Sequence, residues 1–203
     1  MIIELSGTPS AGKNSIIKRI CLNDKDPVNC LIITQDDDEF TMKNSNFDLR
    51  ILWGIFDTYL KTRKAINTHD PLQERMLIFN RGLFDMIAWT RLLRSNNECY
   101  AEVANYIEKW LITHLFLFQT DMIFLFLTSY EKILTRREKY KFDSNGTPWV
   151  INPNTIGKLN EIYLELFLEF RRDFSIIVID DVNENLSLEQ KFTIVRSHLI
   201  KFL

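Results

Sequence analysis

Cysteine is scarce and unpatterned in this sequence. Cys21, Cys30 and Cys99 fall at spacings that match neither a metal-binding set nor a paired framework, so reduced thiols in a cytoplasmic compartment are the expectation. Histidine is equally sparse. His69, His114 and His198 stand in unrelated contexts, which leaves no catalytic triad and no histidine metal set to argue from; His114, on an apolar stretch, reads as a packed core residue. An excess of one charge is lacking too. The formal net charge is −2 and the pI about 6.0, whereas duplex binding needs a cationic face, so a nucleic acid polymer is not an expected partner. There is no long hydrophobic run. The most apolar stretch, 115–127, is broken by Gln119, Thr120 and Asp121 and is too short to span a bilayer, so no membrane partner is expected. The opening Met-Ile-Ile-Glu-Leu-Ser-Gly lacks the basic-then-apolar order of a secretory leader. With 6 glycines and 5 prolines, the chain also has no repeat and no Pro/Gly-rich linker.

What is present is an alternation. The 203 residues, 46% hydrophobic, suffice for one domain with a full core, expected to span 1–203. Short apolar runs at 2–6, 31–34, 76–79, 122–127 and 175–179 read as strands. Helical periodicity marks 14–22, 47–66, 83–93, 100–118, 130–137, 155–170 and 188–202. The run 122–127 is apolar throughout, as in a strand buried on both faces. Strands separated by helices imply parallel pairing with right-handed crossovers. The expected fold is therefore α/β: a three-layer, doubly wound parallel five-stranded sheet with helices on both faces. Ligands bind beyond the carboxyl ends of such strands, so the residues just after each strand are the candidates.

After the first strand comes Gly7-Thr8-Pro9-Ser10-Ala11-Gly12-Lys13. Two glycines flank four residues and a lysine follows, which is Walker A spacing between a strand and a helix. Glycines let the backbone curl so that successive N–H groups face an anion, the helix N-terminus adds partial positive charge, and Lys13 adds a full one. A triphosphate donor, ATP, is the expected cofactor, held by residues 7–13 with Asn14 and Ser15. The pattern wants Ser or Thr after the lysine to ligate Mg2+. Asn14 stands there instead, and its side-chain oxygen would place the ion differently.

Two further segments carry a resemblance. Phe79-Asn80-Arg81-Gly82-Leu83-Phe84-Asp85, and Arg136-Arg137 followed by Gly146, Ile151-Asn152 and Leu159-Asn160-Glu161-Ile162-Tyr163, resemble, together with the phosphate loop, a bacterial group of P-loop proteins related to thymidylate kinase and deoxynucleoside kinases. The resemblance implies the P-loop kinase fold with a lid around 136–153. It implies that Arg81 contacts a substrate phosphate or steadies the transferring group, and that Arg136 and Arg137 close over the phosphates. It implies an acceptor carboxylate after the second strand, where Thr34-Gln35-Asp36-Asp37-Asp38-Glu39 stands. Asp36 and Asp37, nearest the strand, are favoured as base or as magnesium ligands beside Asn14, with a solvated acidic turn as the alternative. Where relatives carry an acid before the arginine, this chain has Asn80.

Other readings stay open at this level. Arg81 can instead pair with Asp85 one helical turn on, and Arg136 and Arg137 can be a solvated helix end. Helix 47–66 should wall the acceptor pocket, with Arg50 for an acceptor phosphate and Trp53 and Phe56 either stacking on a base or packing in the core. Asp85 is placed with Arg81 at the substrate. Asp180-Asp181-Val182-Asn183 should pass near the base of the donor. Helix 100–118, with Tyr106, Trp110, Phe116 and Phe118, is either doubly buried or the face of a homodimer. Three functions compete: a kinase of a nucleoside or nucleoside monophosphate, a nucleotide-binding regulator with degenerate catalysis, and a P-loop kinase of another small molecule.

Overall fold

A computed structural model describes residues 1–21, 30–34, 47–70, 76–96, 101–140 and 152–200. Within them the chain runs β1 (Ile2–Gly7), α1 (Lys13–Cys21), β2 (Cys30–Thr34), α2 (Phe47–Thr68), β3 (Met76–Asn80), α3 (Leu83–Asn96), α4 (Ala101–Leu117), β4 (Met122–Leu127), α5 (Tyr130–Tyr140), α6 (Pro153–Phe170), β5 (Ser175–Asp180) and α7 (Leu188–Leu199). The five strands form one parallel sheet in the order β2-β3-β1-β4-β5.

Alternation along the strands divides the core in two. Met122, Phe124 and Phe126 of β4 face α1 and α7, packing with Ile16, Ile17, Ile20, Val195 and Leu199. Ile123, Leu125 and Leu127 face α3, α4 and α6. All six β4 residues are buried, as expected for a strand covered on both sides. The expected three layers are therefore present, and helix ends are set by local chemistry. Asn152 accepts from Thr155 N at 2.9 Å with Pro153 opening α6, and Ser187 with Gln190 forms a capping box on α7.

β1 has β3 on one side and β4 on the other, so the winding reverses beside it. The crevice between the carboxyl ends of β1 and β3 is the binding position of such sheets, and Gly7 and Asn80 end those two strands.

Among the described residues, no helix is long and apolar enough to cross a membrane. Two cysteines that read as scattered meet in space: Sγ of Cys21, ending α1, lies 2.6 Å from Sγ of Cys30, opening β2. Both are free thiols, and burial, with the Cys30 thiol alongside, pushes Cys21 up to about 12. Helix α4 is neither doubly buried nor bare. Ala104, Ile107, Leu111 and Leu115 are buried while Tyr106 is 75% exposed. Trp53 and Phe56 of α2 are each 46% exposed, so they are not core, and the Phe56 ring lies 6.2 Å from that of Trp110. His114 packs among Tyr59, Trp110 and Phe118.

Candidate nucleotide site

β1 ends at Gly7 with φ +127°, a region open to glycine and costly to other residues. A Cβ there would lie 2.0 Å from the carbonyl oxygen of Phe126. The turn hugs β4: Thr8 N donates to that carbonyl at 3.0 Å, and Thr8 Oγ1 accepts from Thr128 N at 3.1 Å. Pro9 and Ala11 are buried, Ser10 is exposed with φ +57°, and Gly12 has φ +105°. Helix α1 opens at Lys13, and its first internal bond runs from Ile16 N to Gly12 O. The amides of Lys13, Asn14 and Ser15 thus have no carbonyl one turn back and form the donor end of the helix.

Lys13 is 5% exposed and folds back on its own loop, donating to Gly7 O at 2.8 Å and Thr8 O at 2.9 Å. Burial holds its pKa well below the ordinary lysine value and the nearby Arg81 charge adds to that, against the pull of Asp85. Two cations converge here, with the Asp85 carboxylate as a counter-charge to both.

Arg81 sits in the turn after β3 with φ +69°, its N–H donating to Leu5 O at 3.0 Å. Its guanidinium pairs with Asp85 at 2.7 Å and lies 5.9 Å from the Trp89 ring centre. The ion pair one turn apart is therefore formed, and Arg81 remains part-exposed at 20%. Asp85, expected at the substrate, is instead fully buried. Its Oδ1 accepts from Gly7 N at 2.9 Å and from the Tyr163 hydroxyl at 2.6 Å; its Oδ2 accepts from Arg81 and, at 3.1 Å, from Trp89 Nε1. Burial pushes this carboxyl up, but the Arg81 and Lys13 charges and those hydrogen bonds outweigh it and hold it below the usual range. Asp85 therefore braces the loop and orients Arg81; its oxygens face protein donors.

A second buried carboxylate was not anticipated. Glu4, 1% exposed in mid-β1, accepts from the amides of Gly82, Phe84 and Asp85 at 3.0, 3.1 and 2.9 Å and so caps α3 from outside the helix. A charged residue inside an apolar strand run was the signal available. Gly82 makes room: a Cβ on it would fall 2.5 Å from Glu4 Oε2. Burial raises Glu4 from 4.5 to about 7, against the hydrogen bond that Ser6 Oγ donates to its Oε1 at 2.5 Å and those from the Phe84 and Asp85 amides, which pull the other way. A group raised in the folded state adds stability that is complete below its unfolded pKa and is lost as pH rises through the folded one. We expect stability to fall between about pH 5 and pH 8 by on the order of 3 kcal/mol from this group. Glu4→Gln should flatten that slope while lowering stability at pH 5, since an amide nitrogen would face the Phe84 N–H. Thermal melts across this range check it; an unchanged slope in the variant would mean Glu4 is ionised throughout.

Asn14 and Asn80 meet across the crevice: Asn80 Nδ2 donates to Asn14 Oδ1 at 2.7 Å, and Asn80 Oδ1 is buried without a hydrogen-bond partner. These are neutral oxygens. Among the described residues no group of three or more His, Cys, Asp or Glu side chains could hold a metal, and Glu4 and Asp85 are saturated by protein donors. Mg2+ favours carboxylates with phosphates and water, so the described set does not fit a protein-held Mg2+ ion. Asp36 and Asp37 lie outside the described residues, as does most of the expected lid, 141–151. Arg50 and Arg137 lie on α2 and α5, but their side chains are outside the described part.

Helix α5 continues to Tyr140, past the expected end at 137. Arg136 on it is not a solvated helix end. It donates to Ser10 O at 3.1 Å and to Thr128 Oγ1 at 3.3 Å, and it pairs with Asp181. Asp180 turns the chain after β5, accepting from Val182 N and Asn183 N at 2.9 and 3.1 Å. Asp181, expected near the base, is 1% exposed and points inward.

The parallel 2-3-1-4-5 sheet, with a glycine turn between β1 and α1, is a fold shared with solved nucleoside and nucleotide kinases. The chain is similar to deoxyadenosine kinase from M. mycoides with products dCMP and a flexible dCDP bound, at 17% identity, TM-score 0.72, and coverage of 99% of this chain and 100% of that one. The same enzyme with bound dATP gives 17% identity and TM-score 0.70 over 98% and 99%. Thymidylate kinase from Candida albicans gives 15% and 0.65 over 98% of this chain and 91% of that one. No protein-family model and no curated protein sequence matches the chain.

Proposed function

We propose that this chain is an ATP-dependent phosphotransferase acting on a nucleoside or a nucleoside monophosphate. The observation that carries the reading is the convergence of Lys13, Arg81 and the donor end of α1 on a glycine turn at the carboxyl ends of β1 and β3. In the transfer, the acceptor oxygen attacks the terminal phosphorus in line, the bond to the bridging oxygen breaks, and the nucleoside diphosphate leaves. Lys13 exchanges its carbonyl partners for phosphate oxygens. Arg81, oriented by Asp85, neutralises charge spread on the transferring group. Thr34, paired with Asn80, ends β2 at the same edge; Asp36 and Asp37 follow it, and one of them takes the acceptor's proton. Arg137 belongs to the arm that covers the phosphates and excludes water, while its neighbour Arg136 holds the loop at the Ser10 carbonyl. Mg2+ accompanying the triphosphate would lower its charge in solution.

A second reading, a nucleotide-binding regulator without turnover, is favoured by the Asn14–Asn80 amide pair. One experiment separates the two. ATP consumption is measured over nucleosides, deoxynucleosides and their monophosphates, for the wild type and for Asn14→Ser/Asn80→Asp. We expect the wild type to consume ATP with at least one acceptor. Tight ATP binding with no acceptor-stimulated turnover until both asparagines are replaced would establish the regulator.

A further inference from the structure

A second set of charges touches the phosphate loop from behind, through its carbonyls. Asp181 follows β5, with its amide donating to Leu127 O at 3.0 Å. Its carboxylate receives Lys191 of α7 at 2.6 Å, Lys132 of α5 at 3.3 Å, Thr128 Oγ1 at 3.2 Å, and Arg136. Two of these cations go on to the loop: Lys191 Nζ donates to Ala11 O at 3.2 Å, and Arg136 to Ser10 O at 3.1 Å. Lys191 is 2% exposed. An apolar side chain of similar length would fill that space without the cost of burying an ammonium, so the charge needs a reason.

Peptide geometry supplies one. Each peptide unit here is planar and trans, so fixing a carbonyl in one direction aims the N–H of the next residue in the other. Pinning Ser10 O aims the Ala11 amide, and pinning Ala11 O aims the Gly12 amide. The turn needs fixing, because Ser10 (φ +57°) and Gly12 (φ +105°) stand in the left-handed region, and amides aimed together in this way form an anion-binding concavity.

We propose that Lys191, anchored by Asp181, is a positioning residue for triphosphate recognition: it holds the Ala11 carbonyl so that the Gly12 amide faces the phosphates. It acts through the backbone and touches no phosphate itself. This rests on the reading of residues 7–13 as the triphosphate site.

The test is binding by full-length Lys191→Met and Lys191→Gln, measured with inorganic triphosphate, ATP and an unphosphorylated nucleoside acceptor from the turnover screen. Lys191→Met should weaken inorganic triphosphate and ATP by about tenfold and leave acceptor affinity within twofold. Lys191→Gln, which keeps an N–H donor, should recover part of the loss. In turnover, KM for ATP should rise at unchanged kcat. Folded variants that bind triphosphate within twofold of wild type overturn the proposal while leaving the triphosphate site standing. Equal loss for triphosphate and acceptor, or failure of both variants to fold, makes Lys191 a residue of general stability and likewise overturns it. A wild type without affinity for any triphosphate removes the underlying site reading itself.

Discussion

Lys13→Met is expected to weaken ATP binding roughly a hundredfold or more, equivalent to about 3 kcal/mol, with little change in the melting temperature of the free protein. The two halves of this expectation share a cause. In the free protein Lys13 is buried against two carbonyls, and burial disfavours its charged form there. Methionine removes that burden while leaving the Gly7 and Thr8 carbonyls without their donor, so the stability terms oppose each other. Binding has no such offset, because the ammonium that donates to the Gly7 and Thr8 carbonyls in the free protein is the charge that turns onto the phosphates. Isothermal calorimetry and a thermal melt on the same sample check both halves. Affinity within threefold of wild type would mean that phosphate binds elsewhere.

Gly7→Ala is expected to be the more damaging change to the fold, at about 3–5 kcal/mol, enough to lower the melting temperature by roughly 10 °C. A methyl on Gly7 would meet the main chain of Phe126 at 2.0, 2.7 and 2.7 Å, and main chain cannot swing aside as a side chain does. Moving β1 away from β4 would also break the Gly7 N–Asp85 bond and so loosen Arg81. Gly12→Ala is the control. Its Cβ would meet only Leu188 Cδ1, at 3.9 Å, so φ strain alone remains and the cost should be about 1–3 kcal/mol. Comparable melting points for the two variants would show that the Gly7–Phe126 contact is looser than described.

The sequence made the layered architecture plain because its evidence is local. The unbroken apolar run of β4, the period of α1 and the glycine spacing of the loop each sit within a dozen residues. What escaped was assembled from distant parts. The Arg81–Asp85 pair is one turn apart and was foreseeable. Two more partners of Asp85, Gly7 and Tyr163, are each 78 residues away, and nothing near Asp85 distinguishes a carboxylate aimed at substrate from one aimed at the loop. Glu4, with Gly82 opposite, is the same case, as is Lys191, which reads as an ordinary surface lysine on an amphipathic helix until Asp181 is seen beneath it. Cys21 and Cys30 are nine residues apart in sequence, yet their meeting depends on how α1 returns to β2. Trp53 and Phe56 show the opposite limit: helical spacing fits core or pocket equally, and only the packed structure shows both half in solvent.

The place of β1 in the sheet has a consequence for synthesis. Its neighbours are β3 and β4, and Gly7 pairs with Phe126, so β1 waits for a strand made more than a hundred residues later. A nascent chain released or stalled before that point carries an apolar strand with an open edge, the kind of segment that recruits other chains. Truncations ending before 122 should therefore precipitate, while the ordering of the N-terminal turn awaits the arrival of β4 from the ribosome.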